Sequence, residues 1–301
     1  MTILVTGANG QLGKEMLLAL QADNIPCIGV ARDEIDFSRP DTVADAVAAY
    51  APGWVINCAA YTKVDRAEEE SELAFAVNRD SARAVAEGVE RIGGRLLHVS
   101  TDFIFGGDQV RPYREDDPVK PLGVYGLSKL EGERAVREII PDALILRTAW
   151  VYGVHGHNFV KTILRLASER VELRVVDDQI GTPSWTGDIV NAMRQLIARD
   201  AGGTWQFTNE GVASWYDFAC EIVAYGRRNG MPVIAERVTP ISTEDFPLPA
   251  VRPCYSVMSK AKIRAALGYR IPHWRDSLHV MMGQLMASST SWRAASEDYS
   301  S

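Results

Sequence analysis

A tyrosine and a lysine lie four residues apart in the segment Tyr125-Gly-Leu-Ser-Lys129. At this spacing two side chains share one face of an α-helix, so an ammonium group would sit beside a phenol. A neighbouring cation favours the phenolate and is expected to lower the tyrosine pKa from its ordinary value of about 10. Such a tyrosine can exchange a proton with an alcohol or a carbonyl oxygen. The pattern also occurs on solvated helices, so its meaning depends on the elements around it.

A glycine-rich turn follows the first apolar run of the chain, residues 3–6, and precedes a helical pattern that begins near Lys14. Glycines allow a sharp turn and a close approach to a pyrophosphate, and the helix N-terminus offers unpaired N–H groups to it. A turn that closes a βα unit without a ligand is the alternative. Because this is the first βα unit, a dinucleotide site is favoured. The predicted cofactor-binding residues here are Gly7, Asn9, Gly10, Gln11, Leu12 and Gly13.

The second predicted strand, residues 28–31, ends at Arg32 and Asp33. In a dinucleotide fold this strand end meets the adenosine ribose, where an arginine suits a 2′-phosphate and an acidic residue suits a free hydroxyl. Arg32 favours NADPH, but the adjacent aspartate leaves NADH open. Asp36 and Phe37 are predicted to contact the adenine.

Two further predicted strands, residues 54–57 and 96–100, end in small or hydroxyl-bearing residues. The carboxyl ends of parallel strands form the ligand crevice of doubly wound sheets. We therefore expect cofactor contacts from the first strand end and substrate or catalytic contacts from the second. These residues are Ala59, Ala60 and Thr62, and Thr101, Asp102 and Phe103.

Regular alternation of strands and helices predicts an α/β fold with a doubly wound, Rossmann-like parallel sheet and a smaller C-terminal α/β substrate-binding lobe. The dinucleotide-binding domain is predicted to span residues 1–150 and to receive about 173–200. The smaller lobe takes 151–172 and 201–287, and a polar tail takes 288–301.

Composition excludes several kinds of partner. The formal net charge of −7 over 301 residues disfavours nucleic acids and anionic membranes, and no apolar run is long enough to span a bilayer. The four cysteines form no CxxC pair, which indicates a reducing, cytoplasmic location. His155 and His157 have no third ligand in view, so no metal site is predicted.

Two features of the region after the third predicted strand are interpreted structurally. Glu68, Glu69 and Glu70 are interpreted as a solvated helix start, and Asn78 as a buried hydrogen-bonding brace.

Four motifs together resemble the extended short-chain dehydrogenases/reductases. They are the glycines at 7, 10 and 13, Asn57-x-Ala59-Ala60, Ser100-Thr101-Asp102 and Tyr125-x-x-x-Lys129. Within that superfamily the chain is similar to reductases of nucleotide-linked keto-deoxysugars, from Met1 to about Leu285. The closer resemblance is carried by residues 57–68, 147–153, 158–167, 178–183 and 249–253.

The resemblance implies that NADPH delivers a hydride to C4 of dTDP-4-dehydro-β-L-rhamnose. Tyr125 would protonate the C4 oxygen, Lys129 would lower the tyrosine pKa and bind the nicotinamide ribose, and Thr101 would hold the keto oxygen. Trp150 would pack near the sugar. The implied contacts to the nucleoside diphosphate are Asn158, Gln179 and Arg252.

Phe103 stands where family members often have tyrosine, which leaves the exact sugar open. A reductase or epimerase of another nucleotide-linked keto-deoxysugar, and a non-catalytic NADP-binding regulatory subunit, are the alternatives. Some relatives are thought to pair through Mg²⁺ near the C-terminus, where this chain offers Glu297 and Asp298. A homodimer and a role for Mg²⁺ are therefore left open.

Overall fold

The computed structural model describes residues 2–288; Glu297 and Asp298 lie outside this range. The strands are β1 (Ile3–Thr6), β2 (Cys27–Val30), β3 (Trp54–Asn57), β4 (Arg95–Thr101), β5 (Leu144–Thr148), β6 (Val151–Tyr152), β7 (Glu172–Val176), β8 (Ile180–Gly181), β9 (Ser184–Trp185), β10 (Gly203–Gln206), β11 (Ala213–Ser214) and β12 (Arg237–Ile241). The helices are α1 (Gln11–Ala22), α2 (Pro40–Ala49), α3 (Val64–Ala67), α4 (Ser71–Phe75), α5 (Ser81–Arg91), α6 (Val124–Ile139), α7 (Phe159–Glu169), α8 (Thr186–Ala198), α9 (Trp215–Arg228), α10 (Ala261–Ala266) and α11 (Trp274–Ala287). A π-helix (Ala76–Asp80) joins α4 to α5, and a 3₁₀ turn (Asp102–Ile104) follows β4.

Six parallel strands form the central sheet in the order β10-β5-β4-β3-β1-β2. The chain starts at β1, moves outward to β2, and then returns to build the other half from β3. This reversal places the carboxyl ends of β1 and β3 side by side at the switch point of the sheet, where doubly wound folds bind ligands. The predicted fold class is confirmed.

Both faces of the sheet are covered, because alternate residues of a strand point to opposite sides. Ile3 and Val5 of β1 pack with α1 and α8 on one face. Leu4 between them packs with α2 and α5 on the other face. The two cores hold the sheet rigid, so its carboxyl edge can position side chains.

The smaller lobe has a hydrophobic core of its own, separate from the two cores of the central sheet. It gathers apolar side chains from α7, α9 and α11, with Tyr152, Phe218 and Trp274 fully buried among them. Three two-stranded sheets accompany this core: β12 pairs with β7, β11 with β8, and β6 with β9. The Ser214 side chain caps α9 through a reciprocal capping box with Asp217.

The strand pairing differs from the predicted domain division at two strands. β7, predicted for the dinucleotide domain, pairs with β12 in the smaller lobe. β10, predicted for the smaller lobe, pairs with β5 and forms the edge of the central sheet. Pairing between strands that are far apart in the sequence leaves no local signal from which it could be predicted.

No helix among residues 2–288 is long and apolar enough to cross a membrane. The four cysteines at 27, 58, 220 and 254 are free thiols.

Candidate active site

The glycine turn is built by close backbone contacts. Gly7 has a positive φ of 65°, and a Cβ at this position would lie 2.9 Å from the backbone nitrogen of Ala59. The Gly10 amide donates to the Gly7 carbonyl at 2.9 Å. Gly13 lies against the same carbonyl, so a side chain there would collide with the turn. The three glycines are therefore needed to bring β1, β3 and α1 together.

This turn fits a dinucleotide phosphate. α1 begins directly after Gly10, and no described side chain caps its first turn. Its free N–H groups and the positive end of its dipole suit an anion. Asn9 and Gly10 are exposed at the entrance, whereas the Leu12 side chain is buried in the core, which leaves only its backbone for a ligand.

Gly13→Ala is expected to weaken NADPH binding at least ~10-fold and to lower the free energy of unfolding by about 1–3 kcal/mol. The added methyl would lie 2.8 Å from the Gly7 carbonyl carbon, so the turn must open to admit it. Fluorescence titration with NADPH and urea unfolding measure the two effects. Gly268→Ala is the control, because a Cβ at Gly268 meets no atom within 4 Å. Wild-type NADPH affinity in Gly13→Ala would contradict the turn's assigned role.

The residues predicted to bind the adenosine part of the cofactor differ in how exposed their side chains are. The Arg32 side chain is 79% exposed and lies 3.7 Å from Asp36. Asp36 accepts bonds from the backbone and hydroxyl of Ser38, which lower its carboxyl pKa and fix the loop. Phe37 is 8% exposed and packs in the α2–α5 core, and its contact with adenine stays a prediction.

Below the turn, polar side chains connect β1, β3 and β4. The Thr6 hydroxyl accepts from the Ala59 amide at 3.2 Å and donates to Asn57 at 2.7 Å. The Asn57 amide reaches Nδ1 of His98 at 3.0 Å. These bonds fix the end of β3, along which Ala59, Ala60 and the exposed Thr62 follow. Their small side chains leave the strand edge open, as the cofactor prediction requires.

Tyr125 and Lys129 lie in the first two turns of α6, as predicted. The helix is seated by two glycines: Gly126 lies against the Phe103 carbonyl, and Gly132 against the Asn78 carbonyl. Any side chain at these positions would push the helix off the sheet.

Asn78 is the buried brace that the sequence predicted. Its side chain bonds the backbone N–H and C=O of Tyr61 at 2.9 and 3.1 Å and donates to Ser128 at 3.0 Å. Ser128 in turn donates to the Tyr125 carbonyl at 2.9 Å. The brace therefore ties the π-helix, the loop after β3 and the first turn of α6 together.

The interpretation of Glu68 as a solvated residue is wrong, because its carboxylate has a partner in the protein. Its Oε1 accepts the backbone N–H of Val124, the first residue of α6, at 2.9 Å. A carboxylate at a helix N-terminus satisfies an unpaired donor and complements the dipole. Glu70 is likewise occupied, by the Tyr61 hydroxyl and by Arg66. Glu68 thus helps to hold the helix that carries Tyr125.

The Thr101 hydroxyl lies near the Tyr125 phenol and acts to lower its pKa. Thr101 also caps the 3₁₀ turn by accepting the Phe103 amide at 3.2 Å. The Phe103 ring packs edge-on against the Tyr125 ring, with centroids 5.4 Å apart. The three predicted catalytic residues, Thr101, Tyr125 and Lys129, are therefore brought together by β4 and α6.

The expected lowering of the tyrosine pKa is wrong in this structure. Burial raises the pKa of Tyr125 to about 12; the Thr101 hydroxyl lowers it, and the Asp102 carboxyl raises it further. Lys129 is itself buried, which lowers its pKa to about 8, and its Nζ donates to the Val99 carbonyl at 2.6 Å. Desolvation by burial is the largest influence on the Tyr125 pKa, and Tyr125 stays protonated at neutral pH.

Asp102 was predicted to bind substrate, but its carboxyl is buried, with 1% of the residue exposed. Burial raises its pKa to about 6, while the neighbouring hydroxyls of Ser256 and Thr101 act in the opposite direction. The Thr101 hydroxyl donates to Oδ1 at 3.2 Å, whereas Oδ2 is buried without a hydrogen-bond partner among the described residues. The contact of Asp102 with substrate stays a prediction.

Trp150 is held in an unusual conformation at the border of the two lobes. Its φ is +46°, which is rare for a bulky residue. Its indole stacks on Trp215, with centroids 3.5 Å apart and planes within 5°. The stack fixes the position of the half-buried indole, whose contact with the sugar stays a prediction.

The three residues predicted to face the nucleoside diphosphate make intramolecular bonds. Asn158 caps α7 and donates to Gln11 at 2.9 Å, which links the smaller lobe to the glycine turn. Gln179 is 6% exposed and donates to Thr243. Arg252 binds Asp65 through both terminal nitrogens at 2.9 and 2.6 Å. Their diphosphate contacts stay predictions; Asn158 and Arg252 join the two lobes, and Gln179 bonds within the smaller lobe.

The sequence predicted no contact in the site for Asp65, Glu133, Trp215 or Ser256, and it indicated that Glu68 is solvated. Glu133 carried a signal, since it lies one further turn along the Tyr125–Lys129 face. The others contact residues distant in sequence and had none. Within residues 2–288, no three His, Cys, Asp or Glu side chains cluster as metal ligands.

A doubly wound sheet with a glycine turn at its switch point and a tyrosine–lysine pair beside it defines a dinucleotide-dependent oxidoreductase. The family model described as RmlD substrate binding domain matches residues 1–287, and the chain belongs to that family.

Similar proteins agree with this assignment. A dTDP-4-dehydrorhamnose reductase from Burkholderia thailandensis is 41% identical over 95% of this chain and 100% of its own length. The crystal structure of a dTDP-4-dehydrorhamnose reductase from Clostridium acetobutylicum has a TM-score of 0.89 and 40% identity, covering 95% of this chain and 100% of that one. The Bacillus anthracis enzyme, solved in complex with NADP, has a TM-score of 0.88 and 37% identity, covering 94% and 99%.

Proposed function

We propose that this enzyme uses NADPH to reduce the C4 keto group of dTDP-4-dehydro-β-L-rhamnose to dTDP-L-rhamnose. The observation that carries the proposal is the placement of Tyr125 near Thr101, with Lys129 one helical turn later, at the crevice of a dinucleotide fold. The similarity to dTDP-4-dehydrorhamnose reductases over nearly the whole chain supports the substrate.

Different residues of the crevice bind different parts of the cofactor. The glycine turn and the N-terminus of α1 hold the pyrophosphate, Ala59 and Ala60 border the cofactor, and Lys129 bonds the nicotinamide ribose. NADPH, when bound, supplies the hydride. The protein contributes orientation and charge.

Tyr125 donates its phenolic proton to the C4 oxygen as the carbonyl becomes an alcohol. Reduction requires the protonated phenol, which a pKa near 12 maintains. The Lys129 ammonium stabilises the phenolate that remains, and Thr101 orients the keto oxygen. Hydride and proton together account for the two hydrogens that the carbonyl gains.

The substrate lies between the lobes in this proposal. Trp150 borders the sugar, and Arg252 and Gln179 approach the diphosphate from the smaller lobe. Arg252 then has two anionic partners, Asp65 and the diphosphate. Free cysteines fit a reducing compartment, and we assign the enzyme to the cytoplasm.

Arg32→Ala is expected to raise the KM for NADPH about 10-fold or more and to leave the KM for NADH nearly unchanged. The guanidinium is exposed beside Asp36 at the end of β2 and is free to pair with a 2′-phosphate, an interaction worth about 1.5–3 kcal/mol. Steady-state kinetics with both cofactors measure the effect. Arg39→Ala, which removes another exposed arginine nearby, is the control. Equal losses with both cofactors would remove the preference for NADPH.

The function is tested by supplying dTDP-4-dehydro-6-deoxyglucose, with and without a 3,5-epimerase that makes the L-sugar, and following NADPH oxidation. Oxidation that depends on the epimerase, with dTDP-L-rhamnose identified by NMR, is the expected result. Oxidation without the epimerase assigns a different keto-sugar substrate. NADPH binding without turnover of any keto-sugar would overturn the reductase in favour of a binding subunit.

A further inference from the structure

Glu133 is a buried acid on the catalytic face of α6. It lies four residues after Lys129 and eight after Tyr125, so the three side chains follow one another along the helix. The side chain of Glu133 is 0% exposed and that of Lys129 is buried with it. A buried carboxylate is costly unless it is paired, so its place beside the active site requires an explanation.

A second strand holds Glu133 in place. Arg147 of β5 approaches it with both fork nitrogens, Nε to Oε1 at 2.9 Å and Nη2 to Oε2 at 2.8 Å. Arg147 is itself fixed by the Glu115 carbonyl at 3.0 Å and lies over the Phe105 ring. A bidentate pair of this kind restricts the carboxylate to one position.

Three titratable neighbours of Lys129 carry no negative charge near neutral pH. Burial raises the pKa of Cys58, at the end of β3, to about 12. On β4, burial holds the pKa of His98 well below its usual range, so the ring is neutral. Tyr125 is protonated, as described above. Two cations, Arg137 on α6 and Arg147 on β5, lie beside Glu133. The Asp102 carboxyl, whose pKa burial raises to about 6, acts on Tyr125 at the other end of this face.

We propose that Glu133, clamped by Arg147, is a positioning residue that keeps Lys129 protonated and so maintains the charge on which Tyr125 depends. The inference rests on the proposed function for the role of Lys129. Glu133 is the carboxylate that acts most strongly against the desolvation of the Lys129 ammonium. The Val99 carbonyl at 2.6 Å orients that ammonium without adding charge.

The sign of the effect follows from the chemistry. Reduction needs the ammonium, so activity is full below the Lys129 pKa and falls as pH rises through it. Burial lowers that pKa to about 8, and Glu133 acts in the opposite direction. Without Glu133 the fall must begin at lower pH.

The first experiment is the pH profile of kcat/KM for the keto-sugar at saturating NADPH. In Glu133→Gln we expect the alkaline fall to move down by about 1 pH unit, the size of effect that a nearby opposite charge exerts. Glu131→Gln removes the same charge from the same helix, where its exposed carboxylate pairs with Arg134, and its profile is expected to match the wild type. A uniform loss of activity with no shift would assign Glu133 a structural role only.

A double variant and an NMR titration test the effect of Glu133 on Lys129 independently of the first experiment. Glu133→Gln/Arg147→Met removes both buried charges, so the fold is not left with an unpaired arginine, and the downward shift is expected to persist. ¹³Cε-lysine NMR, assigned with Lys129→Met, follows the ammonium directly without turnover. If the wild-type protein does not reduce the keto-sugar but Glu133→Gln still lowers the Lys129 pKa, the proposed function is overturned and this inference is retained. An unchanged Lys129 pKa in a folded, active Glu133→Gln variant would overturn the inference alone.

Discussion

Tyr125→Phe is expected to reduce the keto-sugar about 10³-fold more slowly than the wild type, with NADPH affinity almost unchanged. The substitution removes the one hydroxyl proton that the mechanism transfers to C4, and general acid catalysis typically contributes ~10²–10⁴-fold. The phenylalanine ring keeps the edge-on contact with Phe103, so the helix keeps its position. Single-turnover reduction and NADPH titration separate the two quantities.

Tyr50→Phe is the matched control for this prediction, because it removes a hydroxyl from the end of α2, away from the crevice. Its turnover should equal that of the wild type. Near-full activity in Tyr125→Phe would show that another group donates the proton. A parallel loss of NADPH affinity would instead mean that the phenol holds the cofactor.

The protonation states of Tyr125 and Lys129 fit reduction better than the lowered tyrosine pKa that the sequence predicted. A donor must carry its proton before the reaction, and a pKa of about 12 ensures this throughout the physiological range. The group that titrates nearer to neutral pH is Lys129, at about 8. The alkaline limit of reduction is therefore expected to follow the lysine and not the tyrosine.

Local patterns predicted the parts of the site that depend on neighbouring residues. The glycine turn, the strand ends at Thr101 and Ala59, and the Tyr125–Lys129 face all arise within a few residues of sequence. Turn geometry, strand polarity and helical spacing determine them directly. The structure places these groups on one edge of the central sheet, and the family match covers the same region.

Contacts that cross the sequence could not be read in the same way. Arg252 looked like a phosphate clamp but pairs with Asp65, 187 residues earlier, and Glu68 reaches 56 residues to the start of α6. The partners of a charged side chain are set by the fold, and an arginine has the same appearance in sequence whether it binds an aspartate or a phosphate. The pKa of Tyr125 was missed for a related reason, since spacing reveals a neighbour but not the loss of water.

Arg147→Met is expected to lower the free energy of unfolding by about 3–5 kcal/mol, the typical cost of leaving one partner of a buried ion pair uncompensated. The side chains of Arg147 and Glu133 are 4% and 0% exposed, so water cannot replace the lost partner. Urea unfolding at neutral pH measures the change. Arg134→Met breaks the exposed pair with Glu131 on the same helix and should cost less than about 1 kcal/mol.

The double variant Glu133→Gln/Arg147→Met tests where the loss of stability in Arg147→Met comes from. If the cost of Arg147→Met arises from the stranded carboxylate, removing that charge should restore most of the lost stability. If the cost arises from the arginine's contacts with Phe105 and the Glu115 carbonyl, the double variant should be at least as unstable as the single one. Recovery of stability without recovery of the wild-type pH profile would separate the two consequences of the pair. The arginine makes the buried charge tolerable, and the charge itself acts on Lys129.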